Sequence, residues 1–215
     1  MPPSAVVFDL DDTLIASDRA RIRTLRQLLG PDADLRRAMA VSKECWDSYQ
    51  RGDCSWDEQR RRRWTAIGIP EERADEIDHE FRAHYDTIRI RPGARALLLG
   101  LKHRGVRLAI VSNSQPSYVE ARLRQHRLAG IFNHVCQMVP PRRKPQPEVF
   151  HEAVERLGVS PLDTVVVGND LDVDILPALG TGYRHGYWMV AGAQPVPPDV
   201  TRVRTCAQLA ILLAT

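Results

Sequence analysis

The sequence predicts an α/β fold in which a parallel sheet flanked by helices carries a helical domain inserted after its first strand. Two observations predict it. Over most of the 215 residues, apolar β-branched runs alternate with segments of helical spacing, the pattern of strands joined by right-handed helical crossovers. From Ser17 to Thr87 that alternation stops, and apolar residues recur only at helical intervals.

Taken in order, Ala5 to Phe8 reads as the first strand. In the insertion, Ile22, Leu25, Leu28 and Leu29 form one apolar stripe, and Trp56, Trp64 and Ile67 form another. Gly30-Pro31, Arg51-Gly52-Asp53 and Gly68-Ile69-Pro70 punctuate it as turns, which leaves room for roughly four helices. Arg91-Pro92-Gly93 marks the return to alternation. Helices are expected over Ala94 to His103, Ser117 to Gln125 and Glu148 to Leu157. Strands are expected over Val106 to Val111, Val135 to Val139, Thr164 to Val167 and Gly182 to Met189, with a short one at Val200 to Val203. The division that follows is a core of residues 1–16 and 88–215 and a helical domain of residues 17–87.

Composition narrows the function classes. Hydrophobic residues at 43% and charged residues at 27% suit a globular protein rather than a disordered one. No apolar run approaches the length of a membrane span, and Met1-Pro2-Pro3-Ser4 lacks the basic start of a signal peptide. Cys45, Cys54, Cys136 and Cys206 form no CxxC pair, which argues against a zinc site and for a reducing, cytoplasmic setting. A net charge of +3 is too small to imply nucleic acid and suits a small anionic substrate.

The chemistry concentrates at strand ends, where parallel sheets gather functional groups. The first strand runs into Asp9-Leu10-Asp11-Asp12-Thr13-Leu14. Residues two apart in an extended chain face the same side, so Asp9 and Asp11 converge, and two such carboxylates repel unless a cation or a shared proton intervenes. The second strand ends in Ser112-Asn113-Ser114. After the third comes Pro140-Pro141-Arg142-Arg143-Lys144-Pro145, and the fourth ends in Gly168-Asn169-Asp170-Leu171-Asp172-Val173-Asp174. Several acids together call for a hard divalent cation, and magnesium (Mg2+) prefers few carboxylates combined with waters and phosphate oxygens. A carboxylate attacks phosphorus only when the repulsion between two anions is offset, as magnesium and a lysine would do.

These segments resemble, in order, the four motifs of the haloacid dehalogenase superfamily. Asp9-Leu-Asp11-Asp-Thr13-Leu is similar to the first and Ser112 after its strand to the second. Lys144-Pro145-Gln146-Pro147-Glu148-Val149-Phe150 is similar to the third, and Gly168-Asn-Asp170 with Asp174 to the fourth. The helical insertion resembles the cap of one large branch of that superfamily. The resemblance implies a Rossmann-like α/β core and magnesium-dependent hydrolysis of a small phosphorylated metabolite through a phospho-aspartate. It implies Asp9 as nucleophile and Asp11 as general acid, then base. Asp9, the Asp11 carbonyl and an acid of the fourth motif would hold magnesium. Ser112 would bind phosphoryl oxygens, Lys144 would neutralise charge, and Asn113 and Thr13 would contact substrate or phosphate. The commonest fourth motif has Asp directly after the glycine, where this chain has Asn169. That departure points to Asp170 as the direct ligand with Asp174 behind it, the reverse being open, and leaves Asp172 to cap the next helix. A phosphomutase would use the same Asp9 and Asp11. A dehalogenase needs neither an acid at Asp11 nor a metal, and a catalytically silent module would need none of the set.

The run Arg60-Arg61-Arg62-Arg63 covers most of a helix circumference, so it forms no single basic face. Arg60 and Arg63 share the stripe of Trp56, Trp64 and Ile67. They either snorkel or pair with an acid, the plainer expectation, or reach into a cleft against an anionic substrate.

Overall fold

The computed structural model describes residues 2–85, 88–136 and 142–214. They divide into two compact units, one of Met1–Ile15 with Ile90–Thr215 and one of Ala16–Arg89.

The first unit is a six-stranded sheet built from β1 (Ala5–Phe8), β2 (Arg107–Val111), β3 (His134–Cys136), β4 (Thr164–Gly168), β5 (His185–Met189) and β6 (Val200–Val203). Their order is β3-β2-β1-β4-β5-β6, and every pairing is parallel. The predicted α/β class holds. β1 and β4 are buried along their whole length, which is why they read as continuous apolar runs rather than alternating ones. Phe8 stands opposite Ile110 of β2 and Val167 of β4, so the three strand ends finish level with one another. The residues after them are thereby delivered to one edge, at the point where the strand order reverses.

Helices α5 (Ala94–His103), α6 (Pro116–Gln125) and α7 (Pro147–Leu157) join these strands. α6 and α7 each begin with the proline at the first helical position, where a missing N–H costs nothing. α7 buries Val149, Phe150, Ala153, Val154 and Leu157, one apolar stripe, and ends at Gly158 with φ 63°. The expected third strand stops being describable after Cys136, because residues 137–141, with Pro140 and Pro141, lie outside the described residues. The fifth strand starts at His185 rather than Gly182, since Gly182 has φ 91° and ends a turn. A π-turn over Leu171–Ile175, the short helix α8 (Leu176–Gly180) and the helix α9 (Cys206–Leu212) complete the unit. Among the described residues no helix is long and apolar enough to cross a membrane.

The second unit holds α1 (Ser17–Leu29), α2 (Leu35–Arg51), α3 (Trp56–Thr65) and α4 (Glu71–Tyr85). Thr87 lies outside the described residues. Ser55 opens α3 with a capping box, accepting from Glu58 N–H at 3.2 Å while Glu58 accepts from Ser55 N–H at 2.7 Å. Leu25, Ala38, Trp64, Ala74, Ile77 and Phe81 form the core of this unit.

Into that core α4 places a buried carboxylate, Asp78. Arg60 Nε donates to it at 2.7 Å, Arg63 Nη2 at 2.6 Å and Trp64 Nε1 at 3.1 Å, and Arg82 Nε lies 3.1 Å away. Arg63 also lies over the rings of Trp64 and Phe81, at 4.6 and 4.7 Å from their centroids. The two arginines of the apolar stripe are thus explained by pairing, with Arg61 turned outward onto Asp75. Removing the carboxylate would leave half-buried guanidiniums facing one another. Asp78→Ala is therefore expected to cost at least about 3 kcal/mol in urea unfolding followed by tryptophan fluorescence, and a loss below 1 kcal/mol, roughly the worth of a surface pair, would sink the argument.

Candidate active site

Asp9 sits one residue beyond β1, and its backbone N–H still donates to Val167 O of β4 at 2.9 Å. The next turn is tight. Leu14 and Ile15 N–H both donate to Leu10 O at 3.0 Å, and Asp12 N–H donates to Ile15 O at 2.7 Å. Asp12 takes a left-handed φ of 60°, a conformation Asp tolerates better than most residues, and Arg91 Nη2 donates to its carbonyl. Asp9 is held buried at a fixed strand end, while Asp11 stays half-exposed on the turn.

Lys144 reaches Asp9 from the loop before α7. Its buried ammonium donates to Asp9 Oδ1 at 2.7 Å and to Asp174 Oδ1 at 2.6 Å. Asn113, expected to touch substrate or phosphate, does different work. Its Nδ2 donates to Lys144 O at 3.0 Å and its Oδ1 accepts from Lys144 N–H at 2.8 Å. The end of β2 thus clamps the backbone that presents the lysine. Asp174 Oδ2 accepts from the N–H groups of Asn169 (3.1 Å) and Asp170 (3.0 Å), which fixes the loop after β4. Gly168 makes room for this: a Cβ there would lie 2.3 Å from Asp174 Cβ, a distance no side chain tolerates.

Charge is unbalanced. Burial pushes the Asp9 carboxyl up to about 7, with Lys144 opposing and Asp174 and Asp11 adding to the rise. Burial would lower Lys144, but Asp174 and Asp9 outweigh it and hold the ammonium above the usual lysine range. One ammonium therefore answers for three neighbouring carboxylates, Asp9, Asp11 and Asp174.

Asp11 is met by two hydroxyls that sequence reasoning gave no role. Ser114 Oγ donates to its Oδ2 at 2.7 Å and Tyr118 OH to its Oδ1 at 3.3 Å. Ser114 at least belonged to a hydroxyl-rich strand end; Tyr118 is one aromatic residue in a helix pattern and carried no signal. Ser112 is buried, and its Oγ accepts from Ser114 N–H at 3.2 Å. Thr13, expected as a substrate contact, is fully buried, and its hydroxyl donates to Asn169 Oδ1 at 3.3 Å. It supports the loop rather than facing outward.

The fourth segment departs most from expectation. Asp170, expected to be the direct metal ligand, is exposed, and its Oδ1 caps the π-turn by accepting from Asp172 and Val173 N–H, both at 3.0 Å. Asp172 is therefore not the cap. The side chain of this segment that faces Asp9 Oδ2 is Asn169. The inward atom of its amide stands 3.3 Å from Asp9 Oδ2 and 3.1 Å from the Asp11 carbonyl oxygen. With nitrogen inward it donates to both. With oxygen inward, that oxygen accepts from Thr13 Oγ1 at 3.3 Å and also faces two further oxygens that give it no proton, an arrangement that a cation would make favourable. Neighbouring ligands of an octahedral magnesium stand about 3.0 Å apart, from metal–oxygen distances of about 2.1 Å. Asp9, the Asp11 carbonyl and Asn169 fit such an ion, and the excess of carboxylates fits its charge. Among the described residues no three Asp, Glu, His or Cys side chains are grouped to hold a metal. The set that converges combines one carboxylate, one backbone carbonyl and one amide.

Comparison with known proteins bears on this geometry. The model of a family described as haloacid dehalogenase-like hydrolase matches residues 3–182. Glyceraldehyde 3-phosphate phosphatase of Pyrococcus furiosus is 27% identical over 194 residues, which cover 83% of this chain and 78% of that protein. Phosphoglycolate phosphatase of Pseudomonas putida is 29% identical over 207 residues, 86% of this chain and 72% of that protein. Among solved structures, YfnB from Bacillus subtilis, bound to magnesium, superposes with a TM-score of 0.83 at 22% identity over 100% of both chains. The L-2-haloacid dehalogenase RSc1362 superposes with a TM-score of 0.79 at 18% identity, again over 100% of both. At such identities the structural likeness speaks for the fold alone.

Proposed function

We propose that this chain, which belongs to the haloacid dehalogenase-like hydrolase family and is a phosphoric monoester hydrolase, cleaves a small phosphorylated metabolite through a phosphoryl group carried on Asp9. The observation that carries this reading is the Lys144 ammonium held between Asp9 and Asp174, with the Asp11 carboxylate two residues along the same turn. Phosphatases among the relatives support the substrate class.

Asp9 attacks phosphorus as the bond to the leaving oxygen breaks, and Asp11 gives that oxygen its proton. Lys144 stays protonated throughout and offsets the meeting of two anions. Ser112 and neighbouring amides hold phosphoryl oxygens. Water then attacks the phosphoryl group, Asp11 takes its proton, and phosphate leaves with Asp9 restored. Asp9, the Asp11 carbonyl and Asn169 would hold magnesium, which would supply further positive charge at the phosphoryl oxygens. Dehalogenation would need no proton carrier at Asp11, so that chemistry is not favoured. We place the protein in the cytoplasm, a reducing compartment suited to four cysteines that are free thiols.

A panel of small phosphate esters is expected to release inorganic phosphate with magnesium present and none with chelator in excess. Chelator-resistant release, or none under either condition, would overturn the reading. Ligand charge count tunes the affinity of oxygen sites, so Asn169→Asp is expected to tighten magnesium binding by about 10-fold in titration calorimetry. Unchanged affinity would remove Asn169 from the metal site.

A further inference from the structure

We propose that Ser114 and Tyr118 are positioning residues for Asp11, their hydroxyls holding its carboxylate so that Oδ1 carries the proton exchanged with the leaving group. This rests on the reading of Asp11 as acid and base. The two hydrogen bonds are unequal, and the inequality assigns the oxygens. Ser114 Oγ lies 2.7 Å from Oδ2, the length of a strong bond to an anion. That oxygen is committed to accepting. Tyr118 OH lies 3.3 Å from Oδ1, a loose contact. A phenol hydroxyl both donates and accepts, so Tyr118 can donate to the carboxylate and accept from the carboxylic acid.

The proton balance follows. In the first half-reaction the Oδ1–H bond breaks as the phosphorus–oxygen bond to the leaving group breaks. The proton goes to the leaving oxygen, the electron pair stays on Oδ1, and the Tyr118 O–H turns to meet it. In the second, water bonds to phosphorus and passes a proton to Oδ1 as the bond to Asp9 breaks. The acid is restored.

The surroundings of Tyr118 suit this work. Its ring lies on the guanidinium of Arg122, 4.7 Å from centre to centroid, one helical turn along α6. Arg122 is buried and donates through Nη1 to Gln125 Oε1 at 2.7 Å. A buried cation on the ring face anchors the ring and makes the phenol a better donor. Ser114 precedes the same helix, so both hydroxyls are set by the start of α6. The simpler role would be to dock α6 against the Asp11 turn.

Stopped-flow kinetics with two esters separate these roles. p-Nitrophenyl phosphate has a leaving group that departs without a proton; glycerol 2-phosphate has one that needs it. Tyr118→Phe keeps the ring on Arg122, and melting temperature checks its fold. It is expected to lower kcat on glycerol 2-phosphate by about 10-fold or more with KM changed by less than about 2-fold. On p-nitrophenyl phosphate the first-turnover burst should keep the wild-type rate while the steady state slows, because only the water step then needs Asp11. Ser114→Ala should behave alike and Ser114→Thr should restore activity. Equal losses in burst and steady state on both esters, a loss confined to KM, or no change would each overturn the proposal. Turnover surviving in Asp9→Asn would overturn the underlying reaction, and this proposal with it.

Discussion

Asp9→Asn is expected to lower phosphatase turnover by at least about 10⁴-fold, because the proposed reaction carries the phosphoryl group on the Asp9 carboxylate, which an amide cannot replace as nucleophile. The substitution is nearly isosteric, and the backbone bond from Asp9 N–H to Val167 O remains, so the fold should persist. Stability gives a second readout. The Asp9 carboxyl goes from 3.8 to about 7 on folding, so the folded state binds its proton more tightly. Its ionisation then removes stability as pH rises through that window, without magnesium present. The metal-free variant should gain in melting temperature relative to wild type between about pH 4 and pH 7 and hold that gain above it. A difference that does not change with pH would mean that burial does not raise the Asp9 carboxyl.

Lys144→Met carries the second large effect. Methionine keeps the length of the stem and removes the cation shared by Asp9 and Asp174. Turnover is expected to fall by about 10³-fold, the scale of a lost charge stabiliser. The metal-free variant should also lose at least about 3 kcal/mol, since two buried carboxylates are left facing each other. That loss should be larger at pH 8 than at pH 5, because at the lower pH the pair can share a proton. Calorimetric melts at the two pH values decide it; equal losses would show that packing, not charge, sets the cost.

The strands could be read because β1, β2 and β4 are short apolar runs bounded by polar turns, and their alternation with helices along the chain is the pattern of a parallel sheet. Asp9 could be singled out for the same reason, as a polar residue directly after such a run, whereas Lys144 and Asp174 stand out through their resemblance to the third and fourth motifs of the superfamily. What failed was the direction of individual side chains. Asn113 and Ser112 are adjacent at one strand end, yet Asn113 grips the Lys144 backbone while the Ser112 hydroxyl meets Ser114. Asn169 stands where the commonest fourth motif has an acid, a departure that places Asp170 above it as a ligand. The π-turn reverses that ranking, because its open backbone N–H groups take the Asp170 carboxylate as their cap. Tyr118 was out of reach of any pattern, since its value depends on meeting Asp11 across 107 positions of sequence. The paired arginines are the opposite case. An acid partner was the plainer expectation, but which acid required the packing of α3 against α4.

The central place of β1 has a consequence for how the protein comes into being. Its neighbours in the sheet are residues 107–111 and 164–168, so the turn that carries Asp9 leaves a ribosome early and waits for partners made long afterwards. Contacts so distant in sequence form slowly, after the cost of closing large loops has been met. A nascent chain that ends before Gly168 already has Asp9 but lacks Asp174 and Asn169. Activity should then appear late in refolding as well, after helical signal has returned, in a single step that marks the arrival of β4.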